Sequence, residues 1–233
     1  MAARQPIHLN PATDVAERVL LPGDPQRALA VAQALLAEPK MLNARRGLWG
    51  YTGRAPDGEL LTVQSTGMGG PSAAIVVEEL LDLGARVLLR IGTCGALVDG
   101  FELGQLLAVE SALAADGASA ALGADGSAAA DPDLFAACVA AGATPAVAVT
   151  SDLFYDPRSD VPARWVEAGA VAVEMETAAV FTVAARRGAR AGALLAVTDL
   201  ISGERERMDQ EEVEAAGVKL GEAALRALGA AAS

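Results

Sequence analysis

The chain has 233 residues, enough for one large α/β domain with a substantial core. A formal net charge of −12 argues against a nucleic-acid or anionic-membrane surface. An apolar content of 52% with only 3% aromatics implies an aliphatic core in which helices sit close to the sheet over alanines.

No apolar stretch follows a basic patch at the N-terminus, so no secretion signal is expected. Apolar patterning predicts a strand at 18–21, a helix at 25–37, a strand at 61–65 and a helix at 71–84. Strands follow at 87–91 and 106–110. Residues 112–131, mostly Ala, Gly, Ser and Asp, lack periodicity and read as a surface connection. Leu134 to Ser151 is uncharged, but Gly142 and Pro145 interrupt it. It reads as a helix at 132–141, a turn and a buried strand at 146–150 rather than as a membrane span. A helix at 161–168, a strand at 170–174, a helix at 177–188, a strand at 193–198 and a helix at 209–229 complete the order. This alternation predicts an α/β fold with a central mixed, largely parallel β-sheet flanked by helices. No linker or repeat divides the chain, so a single domain over 1–233 is expected.

The most informative segment is Leu88-Leu89-Arg90-Ile91-Gly92-Thr93-Cys94-Gly95-Ala96. A strand buried in a parallel sheet is a continuous apolar run. An arginine at its end is costly unless it meets an anion or reaches the surface. The glycines after it read as a turn that brings backbone donors close to a ligand. Val19-Leu20-Leu21-Pro22-Gly23-Asp24-Pro25-Gln26-Arg27 likewise places a Pro/Gly turn between a short strand and a helix, with an arginine in the helix's first turn. Thr66-Gly67-Met68-Gly69-Gly70-Pro71-Ser72 leads into another helix. No lysine follows these glycines, so none is a P-loop, and Ser72 replaces the third glycine of a dinucleotide fingerprint.

These segments, with Arg46-Gly47-Leu48-Trp49-Gly50-Tyr51-Thr52-Gly53 and Val173-Glu174-Met175-Glu176, occur in the order found in nucleoside phosphorylases of the trimeric or hexameric type, which the chain resembles from His8 to its last helix. Ser151-Asp152-Leu153-Phe154-Tyr155 and Thr198-Asp199 look like the bacterial purine branch.

The resemblance implies a set of roles. Gly23, Arg27, Arg90 and Thr93 match phosphate-binding positions, and Arg46 matches an arginine that a neighbouring subunit adds to the same phosphate. Guanidinium forks suit an oxyanion because they bind it bidentately. Glu176 matches the carboxylate on the ribose hydroxyls, Met175 the residue beneath the sugar, and Glu174 a position near it. Phe154 matches the aromatic of the base pocket, and His8 matches the neighbour's residue at the ribose 5′-hydroxyl. Asp199 matches the aspartate that protonates purine N7 as the base leaves. An aspartate is ionised near neutrality in water, so burial or bound substrate must favour its protonated form. Each residue also has a plainer reading. Either glutamate could be a helix N-terminal charge, Phe154 core, His8 a solvated terminus, and Asp199 a loop cap.

His8 is the only histidine, so a Ser–His–Asp or Cys–His nucleophile or an imidazole-rich metal site is disfavoured. Cys94 reads as a small apolar residue. With Cys138 it shows no metal or redox spacing, which fits reduced thiols and a cytoplasmic protein. Carboxylates, arginines, hydroxyls and backbone donors remain, a set suited to transfer between an anion and a sugar.

The chain also departs from the family. The arginine that assists the aspartate in the purine branch falls here among Gln210, Glu211 and Glu212, while Arg205 and Arg207 lie earlier. The Gln/Arg pair of the uridine branch is absent, with Arg158 and Asp160 in its place. The expected activity is reversible phosphorolysis of purine nucleosides with phosphate as co-substrate and no metal or organic cofactor. The expected assembly is a homo-oligomer, a hexamer built as a trimer of dimers, in which Arg46 and His8 complete the neighbour's site. Uridine phosphorylase, a nucleosidase using water and a nucleoside-binding protein without turnover are the alternatives. The motifs are compatible with 6-oxo- and 6-aminopurines alike.

Overall fold

A computed structural model describes residues 5–231. The elements run β1 (Arg18–Pro22), α1 (Pro25–Leu35), β2 (Ala37–Asn43), a 3-10 turn at Arg45–Gly47, β3 (Gly50–Arg54) and β4 (Leu60–Gln64). Then come α2 (Gly70–Asp82), β5 (Val87–Ala96), β6 (Leu106–Ala115), α3 (Gly117–Ala121), β7 (Ser127–Ala129) and α4 (Pro132–Ala140). The chain ends with β8 (Thr144–Ser151), α5 (Val161–Glu167), β9 (Ala172–Glu174), α6 (Thr177–Arg187), β10 (Arg190–Leu200), β11 (Glu206–Arg207) and α7 (Gln210–Ala230).

The sheet is mixed, in the order β11-β10-β6-β8-β9-β5-β1-β4-β3-β2, with β7 on β6. β10 also pairs with β5, so β5, β10, β6, β8 and β9 close into a barrel while β1 to β4 extend from it. The run β4–β1–β5–β10 is parallel, as is β6–β8–β9. The hairpins β2–β3–β4 and the seams β10–β6 and β5–β9 are antiparallel. Side chains alternate across the strands, so each long strand feeds two cores. On β10, Ala193, Leu195 and Val197 pack with α2 and α6, whereas Leu194 and Ala196 pack with α1, α4 and α7. Alanines predominate beneath the helices, and Phe181 is the aromatic among the largest fully buried side chains. No helix among the described residues is long and apolar enough to cross a membrane.

Two expectations are corrected. Gly92-Thr93-Cys94-Gly95 is not a turn but the second half of β5, held between β10 and β9. Residues 112–131 are not a bare surface connection. Asp116, 2% exposed, caps the short helix α3 by accepting the Ser119 N–H at 2.8 Å, and β7 pairs with the end of β6. Both elements are too short to show a period. Residues 37–54 also hold the hairpin β2–β3, which the apolar patterning does not show; Pro39 and its charged neighbours suit an irregular edge strand, and Gly50 and Gly53 hide the alternation of β3.

Candidate active site

The ends of β1, β8, β9 and β10 and the middle of β5 surround a cleft of about 580 Å³, a size that suits a small ligand. It brings together Gly23, Arg27, Arg90, Thr93, Phe154, Glu174, Met175, Glu176 and Asp199, all nine predicted from sequence.

At one end the turn after β1 is fixed by its own chemistry. Asp24 caps α1, its carboxylate accepting the Arg27 N–H at 2.8 Å, and Pro25 is pre-set for the first turn. Arg27 then runs beneath α7, where a Cβ on Gly217 would lie 2.9 Å from its Cγ. Burial pushes the Arg27 guanidinium below its ordinary range; Asp24 opposes this and the positive charge of Arg90 adds to it. An anion bound between the two arginines would relieve that repulsion.

Arg90 leaves β5 on the face of Leu88, toward α6. Gly92 is two residues further along the same face, and a Cβ there would lie 2.6 Å from Arg90 Nη2. The glycine is therefore needed for close approach, not for turning. Arg90 is 3% exposed. Its Nη2 lies 2.8 Å from Glu174 Oε2 and 2.6 Å from Glu176 Oε2, and its Nε donates to Glu174 Oε2 at 3.0 Å and to Thr177 Oγ1 at 3.2 Å. Burial would lower its pKa, but the two carboxylates hold it above the ordinary arginine value.

The two glutamates differ. Glu174, the last residue of β9, also accepts the Glu176 N–H, the Thr177 N–H and the Thr150 hydroxyl, so both of its oxygens are saturated at the start of α6. Glu176 occupies the N-cap position of α6, with Oε1 accepting the Gly69 N–H at 2.6 Å. Burial pushes its carboxyl up, against the pull of Arg90. Thr150, Thr177, Gly69 and Gly217 were not singled out from sequence. The Gly67–Gly70 motif pointed toward Gly69, but nothing local marks the other three.

At the opposite end stands Asp199, 6% exposed. The β10–β5 register slips between Val197 and Asp199, a bulge at Thr198. Bulges re-aim side chains next to functional sites, and here Asp199 lies opposite Gly95, where a Cβ would come within 3.6 Å of its own. Of the three residues at the expected place of the assisting arginine, Glu212 forms a capping box with Asp209 at the start of α7. Two other arginines reach Asp199 instead. Arg205 donates to Oδ1 through Nη2 at 2.8 Å and Nε at 3.1 Å, and Arg207 Nε lies 3.4 Å from Oδ2. β11 pairs Arg207 directly across from Asp199. Both guanidiniums lie 5.9 Å from the centroid of the Phe154 ring, which is half-exposed at the mouth. Trp165, Val161, Pro162 and Ile201 complete this apolar end.

Arg46 and His8 lie outside the cleft. Arg46 sits in the 3-10 turn with φ +58°, a left-handed conformation uncommon for a side-chain-bearing residue. His8 Nδ1 is 2.7 Å from Glu79 Oε1. Glu79 also accepts the backbone N–H groups of Ile7, His8 and Leu9, tying the N-terminal segment to α2. Burial would raise the Glu79 carboxyl, but these donors hold it below the ordinary range. Cys94, on the cleft wall, is buried, and its thiol is pushed well up by that burial. Cys138 is pushed up to about 12 for the same reason. Neither is a poised nucleophile.

The profile of the phosphorylase superfamily matches residues 17–232. The chain belongs to the phosphorylase superfamily. It is 38% identical over 231 residues to a DeoD-type purine nucleoside phosphorylase of Jannaschia sp. (strain CCS1), covering 95% of this chain and 98% of that one. It is 36% identical to the DeoD-type purine nucleoside phosphorylase of Geobacillus kaustophilus, with 89% and 92% covered. Its identity to the guanosine phosphorylase of Halorubrum lacusprofundi is 35%, with 90% of each chain covered.

Proposed function

We propose that this chain, one domain over 1–233, catalyses the reversible phosphorolysis of purine nucleosides to the free base and pentose 1-phosphate. The observation that carries the reading is the position of Arg90, which is buried and 2.6 Å from Glu176. That contact sets an anion receptor against a carboxylate able to hold sugar hydroxyls, with Asp199 at the far end of the same cleft.

Phosphate is held by the Gly23 turn, Arg27, Arg90 and Thr93. As it binds, it takes over donors of Arg90 that otherwise face Glu176, and Glu176 turns to the ribose hydroxyls above Met175. Glu174, already saturated, keeps Arg90 in place. A phosphate oxygen bonds to the anomeric carbon as the N-glycosidic bond breaks through an oxocarbenium-like transition state, which the phosphate charge stabilises. The bonding pair leaves with the purine, and Asp199, which accepts from Arg205 as a carboxylate and so first takes up a proton from solvent when the nucleoside enters, passes that proton to N7. Phe154 lines the base. Inorganic phosphate is the co-substrate, and no step calls on a metal or organic cofactor. The buried thiols fit a reducing, cytoplasmic setting.

Inosine or guanosine in phosphate buffer should release base, whereas uridine should be turned over poorly, because a pyrimidine has no N7 for Asp199 to serve. Uridine as the best nucleoside would overturn the purine assignment.

We also propose a hexamer in which Arg46 and His8 enter the neighbour's cleft, since both lie outside their own. Mixing inactive Arg46→Ala and Arg90→Ala variants should restore part of the activity by subunit exchange. Full activity in a protein that sediments as a monomer would contradict this assembly.

A further inference from the structure

His8 and Arg46 lie in separate segments of the chain, yet one buried side chain is bonded to both segments. Asn43, the last residue of β2, is 2% exposed. Its Oδ1 accepts the Asn10 N–H at 2.9 Å and the Arg45 N–H at 3.4 Å. Its Nδ2 donates to the Leu48 carbonyl at 2.6 Å and to the Arg45 carbonyl at 3.4 Å. Asn10 follows His8 by two residues, while Arg45 and Leu48 stand on either side of Arg46. A primary amide suits this place because it carries an acceptor and two donors on one short side chain.

Each segment also has an anchor of its own. On the Arg46 side, Gln64 Nε2 donates to the Leu48 carbonyl at 3.0 Å and to the Ser65 carbonyl at 2.9 Å. On the His8 side, Glu79 gathers the N–H groups of Ile7, His8 and Leu9, and the Ala12 N–H donates to the Leu42 carbonyl at 2.8 Å. Asn43 ties the two sides together. The left-handed backbone of Arg46 persists only where surrounding contacts over-determine it, and the amide holds backbone groups on both sides of that residue. If His8 meets a ribose hydroxyl and Arg46 a phosphate in one neighbouring cleft, their separation has to match that of the two substrates. Groups that act together in this way must be held to within a fraction of an ångström.

We infer that Asn43 is a positioning residue that sets His8 and Arg46 as one unit for the neighbour's cleft. The inference rests on the shared-site assembly proposed above. It adds to that assembly a residue that touches neither substrate. Asn43→Ala leaves the Leu48 carbonyl with Gln64 as its donor, so the turn keeps one anchor and loses its link to Asn10.

The test assays Asn43→Ala alone, in an Arg46→Ala background, and mixed with other variants. Alone, it should lower kcat/KM for phosphate by about 10- to 10²-fold, the cost of a misplaced contact. In the Arg46→Ala background the same change should cost about twofold or less, because residues that act as a unit are not additive. Mixed with Arg90→Ala, it should recover activity above the sum of the two parents, since its defect lies in what it donates to the neighbour. Mixed with Arg46→Ala, it should recover none. Asn10→Pro changes an exposed position and removes the N–H bonded to Oδ1. It should raise KM for inosine several-fold and be rescued by Arg90→Ala in the same way.

Full activity of Asn43→Ala, additive losses with Arg46→Ala, or recovery on mixing with Arg46→Ala would each overturn the inference. So would an unchanged KM for inosine in Asn10→Pro. Arg46→Ala mixed with Arg90→Ala is the control. If that pair recovers activity and Asn43→Ala with Arg90→Ala does not, the inference falls and the shared site stands. If the control pair stays inactive, the shared site falls and the inference falls with it.

Discussion

Replacing Arg90 by alanine should lower kcat/KM for phosphate by about 10²- to 10³-fold, the cost expected when one partner of a buried, hydrogen-bonded charge pair is removed. The same change should destabilise the protein by about 3–5 kcal/mol, because Glu174 and Glu176 keep their burial and lose their shared cation. The two losses are separable. Arg90→Lys restores a charge without the fork, so it should recover more stability than phosphate affinity. The pH dependence has a definite sign. Burial already raises the Glu176 pKa in the native protein, and removing Arg90 raises it further. A carboxyl whose folded pKa is raised favours the native state below its unfolded pKa, and that advantage is lost as pH rises through the folded value. The Arg90→Ala deficit should therefore be smallest in acid and grow toward neutrality, as read from melting temperature against pH. A deficit independent of pH would mean that the carboxylates do not depend on Arg90.

Asp199→Asn should reduce kcat for inosine by about 10²- to 10⁴-fold, the range for loss of a general acid. The amide keeps a hydrogen-bond donor beside Arg205 but has no transferable proton. 7-Methylguanosine already carries positive charge at its imidazole ring and needs no proton at N7, so its turnover should scarcely change. If both substrates slow equally, Asp199 is a structural anchor for Arg205 and Arg207 and does not supply the proton.

Much of this site was legible before the structure, and the reason is local. Asp24 and Pro25 set a helix start, the apolar run into Arg90 marks a charge with no cheap place to go, and Glu174 and Glu176 flank a strand-to-helix junction. Each is written within a few adjacent residues. What was missed depends on distant partners. The barrel closes because β10 meets both β5 and β6, which no single strand announces. Gly92 looks like a turn residue in isolation, and only the path of the Arg90 side chain shows that the space is needed for a guanidinium. Gly217 is needed by Arg27, 190 residues earlier in the chain. The contacts of Arg205 and Arg207 with Asp199 could not be chosen between from sequence. The structure has both, because β11 folds back antiparallel onto β10 while Glu212 is committed to capping α7.

If Arg27 and Arg90 present phosphate to a nucleoside, base release from inosine depends on phosphate, and measuring it with and without phosphate tests this. Assayed with the assembled wild-type protein, hypoxanthine should appear only when phosphate is supplied, together with an equal amount of ribose 1-phosphate. Release at the same rate in phosphate-free buffer, with free ribose as the product, would make water the nucleophile and leave the two arginines without this role.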